Sequence, residues 1–167
     1  SGLKEETFRP LFNYKGFQYV EVKSSEPIYL TMNSLKAYVM CSDVPAVGMI
    51  SSSNPLLNKI WKATNRSYLS NLFGYPTDCP QREKNGWTGD AHIAIETGLY
   101  NFDAITLYEK WMRDHEDEQQ ADGRLPAIIP TSGWGYDWGN GVDWVSSVSI
   151  VPWTVYLFYN DSKILEC

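Results

Sequence analysis

Residues 78–92, with the sequence DCPQREKNGWTGDAH, concentrate side chains that can do chemistry. Carboxylates bind hydroxyls and transfer protons, and the flat face of an indole packs against the C–H face of a sugar ring. These residue types favour a carbohydrate site. They also fit an N-terminal helix cap beside a surface ion pair, so both interpretations stay open at this point. The residues concerned are Asp78, Arg82, Glu83, Trp87 and Asp90.

The order of residues in this segment resembles the signature of the bacterial α-L-rhamnosidases of glycoside hydrolase family 78. Three other stretches resemble parts of that family, in the family's order. FNYKGFQYVEV (residues 12–22) resembles the β-sandwich strands that precede the catalytic domain, SSNPLLNKIW (52–61) its entry helix, and DGRLPAIIPT (122–131) a later loop. The resemblance implies the end of a β-sandwich followed by the first helices of an (α/α)6 barrel.

The resemblance also implies that Glu83, three residues before Gly86, is the general acid of an inverting glycosidase. In such an enzyme one carboxylic acid protonates the leaving oxygen, while a second carboxylate, roughly 6.5–9.5 Å away, activates water. A general acid must be protonated near neutral pH, which Asp78 and Asp90 would favour and Arg82 would oppose. An ion pair with Arg82 or a neighbouring lysine is the alternative role for Glu83.

The family's general base is a glutamate far downstream, and this chain ends at Cys167, before that position. We therefore expect the chain to hold the acid side of the site and to be inactive alone. The alternative is a non-catalytic carbohydrate-binding or structural remnant. A binding module would keep Trp87 without needing Glu83, and a structural remnant would bury its tryptophans against a partner.

For the sugar itself, the resemblance implies a set of ring-binding residues. The two aspartates would accept hydrogen bonds from vicinal hydroxyls, and Trp87 would cover the methyl group of a deoxysugar. Asp90 could instead cap a helix. The implied partner is a rhamnose-containing oligosaccharide, polysaccharide or glycoside. The expected substrate-binding residues are Asp78, Arg82, Trp87, Asp90 and, by a looser alignment, Trp144.

The amino-acid composition argues against several classes of protein. A chain of 167 residues with 43% hydrophobic residues can bury a core. The formal net charge of −6 argues against nucleic acid or an anionic membrane surface as a partner. No run of 18 apolar residues predicts a membrane helix. Three cysteines and two histidines without metal-ligand spacing predict neither a disulfide framework nor a metal site, and no cofactor is expected. Cys79 is interpreted as a buried structural thiol.

The two ends of the chain have different periodicities. In residues 1–50, apolar side chains alternate with a period of two, as in 12–22 and 35–41, which predicts strands. The pattern changes at residues 51–55, where Asn54 suits an N-cap and Pro55 the first helical position. We therefore expect an α+β chain, with residues 1–50 ending a β-sandwich domain and residues 51–167 beginning an (α/α)6 barrel that stays incomplete.

Four stretches after residue 54 have the apolar spacing of helices. Four or five helices of a twelve-helix barrel would leave apolar faces uncovered, so self-association is expected. The expected helices are 55–73 stopped by Gly74, about 91–100 capped by Thr88 or Asp90, about 104–118 capped by Asp103, and a fourth from about Ser146 or Ser149 to Tyr159 with Pro152 in the first turn or at a kink.

A long loop at residues 122–144 contains the sequence TSGWGYDWGNGVDW. Its three tryptophans, Trp134, Trp138 and Trp144, would be costly to leave in water, so the loop is interpreted as the wall of a cleft. A flexible glycine-rich surface loop is the alternative.

Overall fold

The computed structural model describes residues 6–11, 13–137, 139 and 141–167. Within these residues the regular structure is helical. The helices are α1 (Pro55–Ser70), α2 (Thr88–Asn101), α3 (Ile105–Glu118), α4 (Val142–Val145) and α5 (Ser147–Tyr159), followed by a short 3₁₀ helix, Lys163–Glu166.

The strands predicted in residues 1–50 do not form among the described residues. The described part of the region has no regular secondary structure, and the only bridge found there is the isolated one between Ala46 and Phe102. An extended segment becomes a strand only when a neighbouring segment pairs with its N–H and C=O groups. Tyr29 and Met32, with exposed fractions of 91% and 97%, have no such layer beside them in the described part of the chain. Phe12, which begins the 12–22 pattern, lies outside the described residues, as does Trp138.

The helical prediction for the rest of the chain is confirmed, and its core lies between α2, α3 and α5. Tyr108, Trp111 and Met112 of α3 are completely buried, as their helical spacing predicts. The buried polar atoms of these side chains have partners. The Tyr108 and Tyr68 hydroxyls lie 2.8 Å apart, and the indole N–H of Trp111 donates to the carbonyl oxygen of Ile129 at 2.9 Å. The buried aromatic side chains therefore bring no unpaired polar group into the core.

Helix α1 begins where the sequence predicts. The Asn54 side chain accepts a hydrogen bond from the Leu56 amide at 2.9 Å, and Pro55 occupies the first helical position. The helix ends at Ser70 with Asn71 as its C-cap, so the predicted stop at Gly74 is three residues too late. Leu72 is buried although it lies beyond the helix, because the chain turns back there onto the core.

The predicted caps of α2 and α3 are wrong. Helix α2 begins at Thr88, with Trp87 at the N-cap and no side-chain cap. The Thr88 hydroxyl lies within hydrogen-bond distance of the carbonyl oxygens of Ala127 and Trp144 instead. Helix α3 has Ala104 at its N-cap and likewise no side-chain cap. Contacts with distant parts of the chain thus occur at both helix starts: at α3 the Ala104 amide donates to the Tyr159 hydroxyl of α5 at 3.2 Å.

The helices expose a second set of apolar side chains away from the core. Such uncovered surface on several helices marks faces that other protein surface can cover. None of the described helices is both long and apolar enough to cross a membrane. The exposed side chains are Leu56, Leu57 and Ile60 of α1, Ile93 and Tyr100 of α2, and Trp153 and Leu157 of α5.

Candidate active site

The loop between α1 and α2 carries the acidic motif and is held together by hydrogen bonds among its own residues. The Asp78 amide donates to the carbonyl oxygen of Asn85, and the Asn85 amide donates to Asp78 Oδ1, both at 3.0 Å. The Lys84 amide donates to the carbonyl oxygen of Cys79 at 3.2 Å. These bonds make residues 78–85 a compact turn, with Glu83 near its outer end.

The turn is joined to the loop that follows α3. The Ile129 amide donates to the carbonyl oxygen of Gly86 at 2.8 Å, and the Thr88 amide donates to that of Ala127 at 2.9 Å. The backbones approach so closely that a Cβ at position 86 would lie 2.0 Å from the Ile129 carbonyl oxygen. A glycine is therefore required at this position, and the 78–87 and 125–129 segments form one unit.

Glu83 is held by two N–H donors at the edge of this unit. Arg82 Nη2 donates to Glu83 Oε1 at 3.1 Å, and the indole N–H of Trp87 donates to Oε2 at 2.9 Å. The ion pair that the sequence allowed as an alternative thus forms. About a third of the Glu83 side chain remains exposed, so the carboxyl group is accessible to a ligand.

Asp78 and Asp90 lie on the wall of a cavity of about 440 Å³ between α1 and α2. Burial raises the pKa of Asp90 above its usual range, and the negative charges of Asp78 and then Glu83 add to the rise. The three carboxyl groups of the motif therefore interact electrostatically, although Glu83 and Trp87 are not part of this cavity's lining. Hydroxyl groups complete its polar side: Thr64, Ser67, Thr77 and Thr97.

Trp144 lies next to the motif, as the looser alignment suggested. Its ring meets that of Trp87 edge to face, with centroids 6.4 Å apart. A Cβ at Gly89 would lie 2.5 Å from the Trp144 ring, so the first turn of α2 has no room for a side chain there. The Trp144 indole nitrogen is buried and has no hydrogen-bond partner among the described residues. Trp134, half exposed, lines a narrow crevice beside Trp87.

Two neighbours of the acids were not assigned a site role from the sequence. The Cys79 thiol lies 2.8 Å from Asp78 Oδ2 and accepts a hydrogen bond from the Glu83 amide at 3.1 Å. Lys84 Nζ donates to the carbonyl oxygen of Tyr14 at 2.9 Å and lies 4.8 Å from the centre of its ring. Only the adjacency of Cys79 to Asp78 was visible in the sequence. The described residues contain no group of three or more His, Cys, Asp or Glu side chains that could hold a metal ion.

Comparison with known proteins identifies relatives along the whole chain. The model of the bacterial alpha-L-rhamnosidase 6 hairpin glycosidase domain matches residues 45–167, and that of the bacterial alpha-L-rhamnosidase concanavalin-like domain matches residues 1–41. An α-L-rhamnosidase from Alteromonas sp. (strain LOR) is 34% identical over 167 residues, which cover 99% of this chain and 18% of that protein.

Two solved structures are similar to the chain. One is the α-L-rhamnosidase from Dictyoglumus thermophilum, with a TM-score of 0.70 and 35% identity over 75% of this chain and 14% of that one. The other is the Streptomyces avermitilis α-L-rhamnosidase complexed with L-rhamnose, with a TM-score of 0.71 and 32% identity over 77% and 12%. The chain thus spans less than a fifth of the length of these relatives. Because the six-hairpin domain model covers well over half of its residues, the chain belongs to the bacterial α-L-rhamnosidase family of glycoside hydrolases.

Proposed function

We propose that this chain forms part of a longer enzyme that releases terminal α-L-rhamnose from rhamnosides by an inverting mechanism, with Glu83 as the general acid. The observation that carries the proposal is the position of Glu83. It is the accessible carboxyl group of an acidic cluster with Asp78 and Asp90, at the edge of two joined loops, in a chain of the rhamnosidase family. Protonation of the glycosidic oxygen is the step this group would perform.

The contacts of Glu83 support a role as general acid, because they would stabilise the carboxylate that remains after proton transfer. When the carboxyl group gives its proton to the leaving oxygen, a negative charge appears on it. The indole N–H of Trp87 and the guanidinium of Arg82 already point at its two oxygens and would stabilise that charge. Before the transfer, Arg82 must turn away or share the carboxyl group with the proton, and its largely exposed side chain leaves it free to move.

The cavity between α1 and α2 supports binding of a sugar ring. Its volume of about 440 Å³ lies within the range of small-ligand sites, roughly 300–1,000 Å³. Asp78 and Asp90 line it and would accept hydrogen bonds from ring hydroxyls. Trp87 and Trp144 lie outside its lining and would cover an apolar edge of the part of the substrate that extends out of the cavity. The substrate class is a rhamnose-containing oligosaccharide, polysaccharide or glycoside.

We infer further that residues 1–50 end a β-sandwich domain and that residues 51–167 begin an (α/α)6 barrel. The family matches, which end at residue 41 and begin at residue 45, support a boundary in this region. The exposed side chains of residues 6–50 and the uncovered apolar faces of the helices are consistent with further strands and helices packing on them in the longer enzyme.

From this division we expect the isolated chain to be inactive on rhamnosides and to self-associate. An inverting site needs two carboxyl groups, and we place the base in a later part of the barrel. The uncovered faces of α1, α2 and α5 would pair between two copies. Light scattering and a rhamnoside assay on the 167-residue chain test both statements. A monomer that turns over substrate would show that the base lies within the chain, for example at Glu96, Glu116 or Glu118.

The catalytic assignment is tested by Glu83→Gln in the full-length enzyme. Turnover of a natural rhamnoside should fall by about two to four orders of magnitude, the usual span of general acid catalysis. An activated rhamnoside with a good leaving group should lose less, because it needs less protonation. Glu26→Gln, at an exposed acid far along the chain from the motif, is the matched control and should keep full activity. Near-normal turnover of the natural substrate by Glu83→Gln would reject the assignment.

A non-catalytic carbohydrate-binding module is the competing function, and the ion pair between Arg82 and Glu83 favours it, since an acid engaged in an ion pair needs no further role. Titration of tryptophan fluorescence with L-rhamnose, compared between wild type and Trp87→Ala, measures binding. Binding without turnover in the full-length protein would support the module over the enzyme.

A further inference from the structure

We propose that Cys79 is a positioning residue that fixes both Asp78 and Glu83, an inference that rests on the proposed function. Its sulfur lies 2.8 Å from Asp78 Oδ2 and 3.1 Å from the Glu83 amide nitrogen. The sequence predicts a buried structural thiol at this position, whereas Cys79 is only partly buried. The two contacts connect the residue proposed to bind the sugar with the residue proposed to protonate the leaving group.

The chemistry of a thiol suits this position. A thiol is both a weak donor and a weak acceptor, so one side chain can donate S–H to the Asp78 carboxylate and accept N–H from Glu83. Asp78 Oδ1 is already occupied by the Asn85 amide at 3.0 Å, so the thiol fixes the second oxygen and with it the plane of the carboxylate. A neutral donor achieves this without adding a positive charge to the cluster.

The contact of the thiol with Glu83 is to the backbone amide and not to the carboxyl group. The amide of Glu83 is anchored to the sulfur, and the amide of Lys84 is anchored to the carbonyl oxygen of Cys79. The short turn after Cys79 is therefore attached at its start to the residue that also holds Asp78. A displacement of a catalytic group by about 1 Å can cost roughly a hundredfold in rate, so this anchor is expected to matter for catalysis.

The test compares two variants in the full-length enzyme. Cys79→Ala removes both hydrogen bonds and should lower kcat on a natural rhamnoside roughly tenfold to a hundredfold. The loss should be smaller on an activated rhamnoside, because a misplaced acid matters less when the leaving group is good. Cys79→Ser keeps a donor and an acceptor at a shorter reach and should restore most of the activity. Cys41→Ala, which removes an exposed thiol, should change neither substrate's kcat.

A second measurement uses the 167-residue chain and does not depend on turnover. Iodoacetamide alkylates an accessible sulfur, and the Asp78 carboxylate covers one side of the Cys79 sulfur at 2.8 Å. In Asp78→Ala the sulfur loses this partner and becomes more accessible, so alkylation of Cys79 should accelerate relative to that of Cys41 in the same chain. An unchanged ratio would contradict the contact between Cys79 and Asp78, even if Cys79→Ala fails to fold.

The outcomes separate this inference from the proposed function. If Glu83→Gln is inactive while Cys79→Ala keeps full kcat on both substrates, the positioning role is wrong and the catalytic assignment stands. If Cys79→Ala loses activity equally on both substrates and Cys79→Ser does not restore it, the thiol has only a structural role. If Glu83→Gln itself keeps normal turnover, the proposed function fails independently of Cys79.

Discussion

Residues 6–50 and residues 55–159 use large apolar side chains in opposite ways. In the first region Phe8, Tyr19 and Tyr29 are about nine-tenths exposed, whereas in the second Tyr108 and Trp111 are completely buried. A helix satisfies its backbone hydrogen bonds within itself and needs only one packed face. A strand needs a partner for its backbone before it can present a face at all. The same chain therefore completes its helices and leaves its strand-like segments extended.

The two regions nevertheless touch at several places, two of which are the end of α2 and the acidic turn. At the first, the amides of Val47 and Gly48 donate to the carbonyl oxygen of Asn101 at the end of α2. At the second, Lys84 of the acidic turn holds the carbonyl oxygen of Tyr14. The extended region thus contacts the helical region through a helix end and through the turn that carries Glu83.

The largest effect is expected in the helical core. Trp111→Ala removes a completely buried indole and leaves the Ile129 carbonyl oxygen without its donor. The free energy of unfolding should fall by about 3–5 kcal/mol, measured by urea denaturation of the 167-residue chain. The matched change Tyr29→Ala, at an exposed aromatic of the extended region, should alter it by less than about 0.5 kcal/mol. Equal effects of the two changes would show that residues 6–50 also contribute to a core.

A smaller effect is expected at the contact between α1 and α2. Asn101 Oδ1 accepts from the indole N–H of Trp61 at 2.7 Å and from Asn65 Nδ2 at 3.3 Å. Asn101→Ala leaves both donors unpaired in a buried place, which should lower the free energy of unfolding by about 1–3 kcal/mol. Asn101→Asp keeps the acceptor but loses the Nδ2 donor to the Thr97 carbonyl oxygen and adds a buried negative charge at the C-terminal end of α2, so it should not restore stability in the same thermal or urea unfolding experiment.

The backbone contact of residues 46–48 with Asn101 provides a control for the effect of the Asn101 side chain. Gly48 packs so closely on α2 that a Cβ would lie 2.0 Å from the carbonyl oxygen of Tyr100. Gly48→Ala should therefore detach residues 46–48, seen as faster hydrogen exchange of the Val47 amide, while leaving the core amides of α3 protected. Loss of protection in α3 would mean that the contact of residues 46–48 also stabilises the core.

The smallest effect is expected at the contact between Lys84 and Tyr14. Lys84→Asn removes the ammonium group but keeps a residue type that tolerates the left-handed backbone there, with φ of +59°. Loss of the hydrogen bond and of the cation–π contact should cost about 0.5–1 kcal/mol. Hydrogen exchange of residues 13–17 should quicken, whereas Lys36→Asn in the exposed region should change nothing. Unchanged hydrogen exchange in Lys84→Asn would show that the contact between Lys84 and Tyr14 does not hold residues 13–17 in place.

Prediction from the sequence succeeded where the cause is local. The start of α1 follows from the side chain of Asn54 and the ring of Pro55, both within one turn of the helix. The buried face of α3 follows from the spacing of Tyr108, Trp111 and Met112. It failed at the caps of α2 and α3, because the Thr88 hydroxyl bonds to carbonyl oxygens 39 and 56 residues away instead of to its own helix.

The sequence by itself determined the family, the four principal helices and the segment that holds the acids, because motif order and helical period are read along neighbouring residues. Only the tertiary structure decided that Trp87 and Arg82 both bind Glu83, that Asp90 shares a cavity with Asp78, and that residues 6–50 form no sheet among themselves. The physical reason is the same in each case. Strand pairing and the partners of a side chain depend on groups that other segments bring into place, and no local pattern specifies them.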